Sequence, residues 1–181
     1  MALQDQNLVL SSAQAVTASA VSTNCYDILN GVLIATSGGT YTVPPNSIIG
    51  NATYFGEDLG LGRGVGTPTI EVFSGTGTPA VATSLQVALQ GAPDNGGGTI
   101  SGLTFVTYIE TGAIPLANIL ASIRVCAFDL PRRQSGNALP RFLQLDYIVA
   151  GSNFTGLTVT GYINLGGTSA QTSLGQYAAN Y

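Results

Sequence analysis

The sequence contains no histidine, no tryptophan and no lysine, and only 8% of its residues are charged. Histidine is the side chain that most often acts as a general base, and it is the commonest metal ligand. A serine nucleophile ordinarily depends on such a base for its activation. The composition therefore argues against an enzyme, and we predict no catalytic residue, no metal site and no cofactor.

The few charged residues are scattered along the chain and sum to a net charge of −4. All basic residues are arginines, and their longest cluster is the pair Arg132–Arg133. Because nucleic-acid binding needs a basic face that neutralises several phosphates, we expect no nucleic-acid partner. Soluble monomers usually keep a charged surface, whereas a surface of small polar residues suits a protein held against others. The composition thus favours a component of an assembly.

Long hydrophobic runs are also missing. The first residues do not combine a basic region with an apolar stretch, as a secretory signal would. No apolar run approaches the roughly 20 residues that a membrane-spanning helix requires. We therefore expect a chain that is made in the cytoplasm and has no membrane partner.

The two cysteines, Cys25 and Cys126, are far apart in the sequence. A single pair is not the cysteine framework that holds small secreted domains together. We interpret them as two buried thiols in apolar surroundings, with a disulfide as the alternative that the sequence leaves open.

Short β-rich runs separated by glycine, proline, asparagine and serine make up most of the chain. Apolar and polar residues alternate in these runs, which places one set of side chains on each face of a half-buried strand. In the run from Phe142, the alternation predicts a core face of Leu143, Leu145, Tyr147 and Val149. Further strands are predicted from Cys25 and over residues 69–74, 84–90, 105–110, 123–128 and 157–163, with a short helical turn in residues 114–121.

This pattern predicts an all-β fold, namely a jelly-roll-like antiparallel β-sandwich of about eight strands. We expect a single domain over residues 1–181 with three additions. These are an extended N-terminal arm (1–23), an inserted glycine-rich loop (about 30–66) and a C-terminal tail (about 166–181). Long loops in compact domains usually have a function, so these segments are the expected contact elements.

Aromatic and arginine side chains are common in protein interfaces, and several lie outside the strand pattern. The candidate interface residues are Tyr41, Tyr54, Arg63, Arg132, Arg133, Tyr177 and Tyr181. The alternative is that the loop tyrosines cover the core of their own domain.

Two other motifs have simple interpretations. The run that begins at Gly60 is rich in glycine, but a strand rather than a helix follows it, so it predicts a flexible loop and not a phosphate site. The acidic doublet Glu57–Asp58 lacks the further oxygen ligands at close spacing that a calcium loop needs.

The order of several motifs resembles the Bbp16-type capsid cement (decoration) proteins of tailed bacteriophages. The matching stretches are LVLSSAQAVTASAVSTN (8–24), TSLQVALQ (83–90), ETGAIP (110–115), LPR (130–132), RFLQLDYIVAG (141–151) and FT (154–155). The similarity extends over nearly the whole chain and departs from the family between about residues 30 and 56 and in the longer tail. The shared order of the motifs carries the resemblance, because each motif alone is simply a strand.

The resemblance implies a jelly-roll domain that binds the outer surface of a phage head. Its partners would be the major capsid protein and further copies of itself, as a dimer or trimer. The chain would stabilise the shell by bridging capsid subunits, and its place would be the outer capsid surface of the virion. A carbohydrate-binding β-sandwich used in host attachment is the alternative, although tryptophan, a common sugar-binding platform, is absent.

Overall fold

The computed structural model describes residues 8–28, 32–36, 69–93, 100–129 and 140–164. These residues form antiparallel strands and one turn of 3-10 helix, Leu116–Asn118. The strands are β1 (Val9–Ala15), β2 (Ala20–Val21), β3 (Asn24–Asp27), β4 (Val32–Ala35), β5 (Thr69–Ser74), β6 (Ala80–Ala92), β7 (Val106–Glu110), β8 (Ile114–Pro115), β9 (Arg124–Asp129), β10 (Phe142–Thr155) and β11 (Thr158–Asn164).

The strands are arranged in two sheets. Sheet 1 has the order β1-β11-β5-β9. Sheet 2 has the order β4-β3-β10-β6-β7, with β2 added beside β10 and β8 beside β6. Every pair of neighbouring strands is antiparallel.

The pairing has the topology of a rolled hairpin. Taken from the chain ends inward, β1 pairs with β11, β3 with β10, β5 with β9 and β6 with β7. This long hairpin is then rolled up, so that β11 also meets β5 and β10 also meets β6. Two sheets built in this way are a jelly roll. The predicted fold class, an all-β antiparallel sandwich of the jelly-roll type, is confirmed.

The main core lies between the two sheets and follows the period-two alternation of the sequence. Along β10, Leu143, Leu145 and Tyr147 are buried in this core, as predicted, and Val149 is half-buried against it. Branched aliphatic side chains of β5 and β11 close the core from sheet 1. Burial of these side chains is the main source of stability for such a sandwich.

The outer side of sheet 2 also has an apolar cluster, which the alternation did not predict. Phe142 was expected on the solvent face, but it is fully buried. It packs with Cys25, Ile34 and Ala92, and the partly buried side chains of Ile100, Leu103 and Phe105 complete this cluster. The segment before β7 therefore covers one end of a face that the strand pattern alone assigns to solvent.

The predicted N-terminal arm over residues 1–23 needs correction for residues 8–23. These residues form β1 and β2, and β1 is an edge strand of sheet 1. Leu10 and Val16 are fully buried in the main core. Ser11 is also buried and accepts a 2.9 Å hydrogen bond from the hydroxyl of Tyr147 in the opposite sheet. The alternation of apolar and polar residues did not predict β1, because bulges shift that alternation between the two halves of the strand.

Part of the predicted inserted loop is also a strand. Residues 32–35, inside the expected loop of residues 30–66, form β4, which pairs with β3. Residues 37–66 of that loop and the tail 166–181 lie outside the described residues. The predicted helical turn is confirmed as the 3-10 helix Leu116–Asn118, which follows directly after Pro115.

Substitution of Leu10 distinguishes a core strand from a mobile arm. We expect Leu10→Ala to lower the free energy of unfolding by about 2–5 kcal/mol, because it leaves a cavity in the core. Ser12→Ala, two residues away at an exposed position, should change it by less than about 0.5 kcal/mol. Urea denaturation measures both values. An unchanged Leu10→Ala midpoint would mean that β1 contributes nothing to the core.

Candidate interaction surfaces

The predicted interface residues all lie outside the described part of the chain. They are Tyr41, Tyr54, Arg63, Arg132, Arg133, Tyr177 and Tyr181. The described residues do show where the segments that contain them join the sandwich.

Three junctions between these segments and the sandwich lie at a common end. In sheet 1, Asn164, Thr69 and Asp129 are cross-strand neighbours. They are the described residues before the tail, after the inserted loop and before the segment that contains Arg132 and Arg133. The other junction of the inserted loop lies apart from them, after Thr36, whose amide donates to the carbonyl of Thr23 at 2.9 Å. We call the common end the charged end, because Asp27, Asp129 and Arg141 lie at the ends of strands here and Glu71 lies two residues after Thr69.

A buried ion pair is the strongest polar contact at the charged end. Arg141 donates two hydrogen bonds to Asp27, from Nε to Oδ1 at 3.1 Å and from Nη2 to Oδ2 at 3.0 Å. The Asp27 side chain is fully buried, and 10% of the Arg141 side chain is exposed. The guanidinium also lies 4.8 Å from the ring centre of Phe142. A paired, planar contact of this kind fixes the residue at which β10 begins.

A second buried carboxylate, Glu71, lies on the outer face of sheet 1. It accepts hydrogen bonds from the Tyr162 hydroxyl at 3.1 Å and from Asn164 Nδ2 at 3.4 Å. Arg124 Nη1 is 3.8 Å from Glu71 Oε1. The ring of Tyr162 also stacks on Phe73, with ring centres 5.9 Å apart. In the sequence, Glu71 is one of several acidic residues with no apparent partner. Its role could not be predicted, because its partners come from two other strands.

The outer face of sheet 2 has a short polar network between β6 and β10. Gln144 donates to Gln90 at 2.9 Å, and Gln90 donates to Asp146 at 2.9 Å. Burial raises the pKa of the Asp146 carboxyl, and the hydrogen bond from Gln90 partly offsets this effect. The three side chains of this network therefore satisfy part of one another's hydrogen-bonding capacity.

Both cysteines are free thiols; the interpretation as buried thiols is confirmed for Cys25, whereas Cys126 is only partly buried. Cys25 belongs to the outer cluster on sheet 2, and Cys126 packs against the main core. Burial raises the pKa of each thiol to about 12. For Cys25 the charge of Asp27 adds to this increase, whereas Arg124 opposes it for Cys126.

Among the residues that the structure describes, two large apolar side chains are more than half exposed, and the sequence pattern missed both. Val81 is 62% exposed and Leu120 is 59% exposed. Val81 also has a backbone φ of 80°, which is unusual for a β-branched residue and costs about 1–3 kcal/mol. Neither the turn residues nor the alternation identifies these positions.

Among the described residues, no group of three acidic or cysteine side chains is placed to hold a metal ion. No helix in the same part of the chain is long and apolar enough to cross a membrane.

Comparison with known proteins gives no assignment. No family model matches the chain, and no curated protein matches it.

The buried ion pair can be tested with a double-mutant cycle. We expect Arg141→Met to lower the free energy of unfolding by about 3–5 kcal/mol, because it leaves the Asp27 carboxylate buried without its cation. The double variant Asp27→Leu/Arg141→Met removes both charges and should be more stable than Arg141→Met alone. Guanidinium denaturation measures the free energy of unfolding of the wild type, of Asp27→Leu, of Arg141→Met and of the double variant. Additive losses in the double variant would rule out a coupled pair.

The thiols should react slowly in the folded protein. A pKa near 12 instead of 9.0 lowers the thiolate fraction at about pH 8 by about 1,000-fold, and the thiolate is the reactive form. Labelling with an aromatic disulfide reagent should therefore be negligible before denaturation and should reach two thiols per chain after it. Rapid labelling of the folded chain at one site would show that this thiol is accessible.

Proposed function

We propose that this chain is a capsid cement protein that binds the outer surface of a tailed-phage head. In this proposal it bridges subunits of the major capsid protein, and further copies of the chain bind beside it as a dimer or trimer. The role is structural rather than catalytic. The proposal rests on the positions in the fold of the sequence stretches that resemble capsid cement proteins.

Four of these stretches contain strands of sheet 2 that pair directly with one another. Residues 83–90 belong to β6 and residues 141–151 to β10, and these two strands form the central ladder of sheet 2. Residues 110–115 end in β8, where Pro115 faces Ser84 of β6. Residues 8–24 include β2, where Val21 faces Asp146 of β10, and also β1, which pairs with β11 in sheet 1. Residues 130–132 lie outside the described part.

This convergence supports the proposal because chance similarity between separate strands would not favour paired ones. A shared fold would, since residues that pair across a ladder constrain each other's size and polarity. The pairing of β2, β6, β8 and β10 is therefore the observation that supports the proposal.

The physical properties of the sandwich also fit a cement protein. Its strands form two packed sheets that buried polar contacts hold together. The sandwich therefore loses little conformational freedom when it binds a partner. A contact of about 800 Å² per partner would be enough for a stable complex. A phage shell expands as it matures. If the chain binds only the expanded form of the shell, its binding free energy stabilises that form by mass action.

The described residues give less support to the carbohydrate-binding alternative. Sugar sites usually have aromatic faces open to solvent. Every aromatic side chain in the described ranges is buried or only partly exposed, including the stacked pair of Phe73 and Tyr162.

The direct test adds the purified chain to mature heads that lack it, taken from the phage whose genome encodes it. We expect saturable binding and density on the outer shell that bridges capsid subunits in a cryo-electron microscopy map. We also expect decorated heads to withstand a higher temperature before they release DNA. The same map would show whether Tyr41, Tyr54, Tyr177 and Tyr181 contact neighbouring subunits.

Bovine serum albumin at the same concentration serves as the control for nonspecific adsorption. No density on the shell at saturating protein would reject the cement function. Density only on the tail or fibres, together with binding to a glycan array, would favour host attachment instead.

A further inference from the structure

The end of the sandwich opposite the charged end is formed by four connections. In sheet 1, Ala15 pairs with Thr158 at this end, and in sheet 2 Ala80 pairs with Thr155. The connections are those between β1 and β2, between β5 and β6, between β8 and β9, and between β10 and β11. All four lie in the described part of the chain.

Main-chain hydrogen bonds join these connections into one surface. The amide of Phe154 donates to the carbonyl of Thr17 at 2.7 Å. The amide of Ser122 donates to the carbonyl of Gly75 at 2.8 Å. Because these bonds link residues that are distant in the sequence, the connections hold each other in place.

No charged residue occurs in any of the four. We call this surface the uncharged end, and it consists of residues 15–20, 74–81, 116–123 and 151–158. The next residue along the chain, Arg124, lies beside Glu71 on the outer face of sheet 1. Most exposed side chains of the uncharged end are alanine, serine, threonine, asparagine or glycine.

The two most exposed large apolar side chains of the described residues, Val81 and Leu120, belong to this surface. The 3-10 helix Leu116–Asn118 contacts β6, which contains Val81, and Leu120 follows that helix closely. The surface therefore carries two aliphatic projections, Val81 at the start of β6 and Leu120 after the 3-10 helix. The fold maintains Val81 in the left-handed region, at φ 80°, although its side chain gains little burial there.

We propose that the uncharged end docks onto an uncharged protein surface that has recesses for the Val81 and Leu120 side chains. This inference rests on the function proposed above, under which that surface is the outer face of the capsid shell. It gives the module a contact surface separate from the predicted interface segments, three of whose junctions lie at the charged end. A protein that bridges subunits needs at least two such surfaces.

The charge distribution determines the kind of partner. An uncharged surface has no ion pairs to offer a charged partner, and desolvating the partner's charges without pairing them would be unfavourable. The partner must therefore be uncharged where it makes contact. Aliphatic side chains that are left in water favour burial in an apolar recess.

A second copy of the chain is the alternative occupant of the uncharged end, and the test below distinguishes it from the shell. A two-fold contact must be self-complementary, so each projection would need a recess on the same surface. The connections at Gly77 and Gly156 approach main chain to main chain, since a Cβ on Gly77 would lie 2.3 Å from the Gly156 carbonyl oxygen. These two connections leave no recess between them for an aliphatic side chain.

The test measures binding of the full chain to undecorated heads by quantitative co-sedimentation. We expect Val81→Asp and Leu120→Asp each to weaken binding by about tenfold or more, because each places a charge in an apolar contact. Aspartate tolerates positive φ better than valine, so Val81→Asp should not lose stability. Ala117→Glu, at an exposed position on the 3-10 helix, adds a charge without removing either projection and should weaken binding as well.

Ile109→Asp is the matched control. Its side chain is 38% exposed, but it lies on β7 opposite Leu89, between the two ends of the sandwich. This variant should bind as tightly as the wild type.

The outcomes separate the two proposals. Wild-type binding with equal binding of Val81→Asp and Leu120→Asp would overturn the docking surface and leave the cement function standing. Loss of an oligomer of the free chain in both variants, with shell binding unchanged, would assign this end to a second copy and would also overturn the inference. Failure of the wild type to bind heads would reject the cement function and the docking surface together.

Discussion

The antiparallel ladder between β6 and β10 is the constraint on which the rest of the sandwich depends. These strands have 13 and 14 residues, and they are paired from Phe142 and Ala92 at one end to Thr155 and Ala80 at the other. Every other strand of sheet 2 attaches to this pair directly or through β3. Because a shift of one residue would turn all core side chains to the outer face, the apolar alternation on both strands fixes this register.

The register of that ladder also decides where charge lies on the molecule. Once β6 and β10 are aligned, the connections of the rolled hairpin fall alternately at the two ends of the sandwich. Asp27, Asp129 and Arg141 lie at one end of the sandwich, whereas the four connections at the other end contain no charged residue, although Arg124, the first residue of β9, directly follows one of them. An object with such unequal ends presents a different chemistry to a partner at each end, which suits a bridging role.

Two of the described carboxylates, Asp27 and Glu71, are buried inside the fold. Asp27 is paired with Arg141, and Glu71 accepts hydrogen bonds from Tyr162 and Asn164. A buried carboxylate must be satisfied in this way, because an unpaired one would destabilise the fold strongly.

The sequence by itself determined the fold class, most strands and the core face of β10, because period-two alternation reflects local geometry that each strand carries alone. It also determined the lack of histidine chemistry. Tertiary structure decided that Leu10 belongs to the core and that Phe142 is buried on the outer side of sheet 2. It also decided that Val81 and Leu120 share one uncharged end. These features depend on contacts between residues distant in the chain, and a bulged or short strand such as β1 or β4 gains its structure only from the partner beside it.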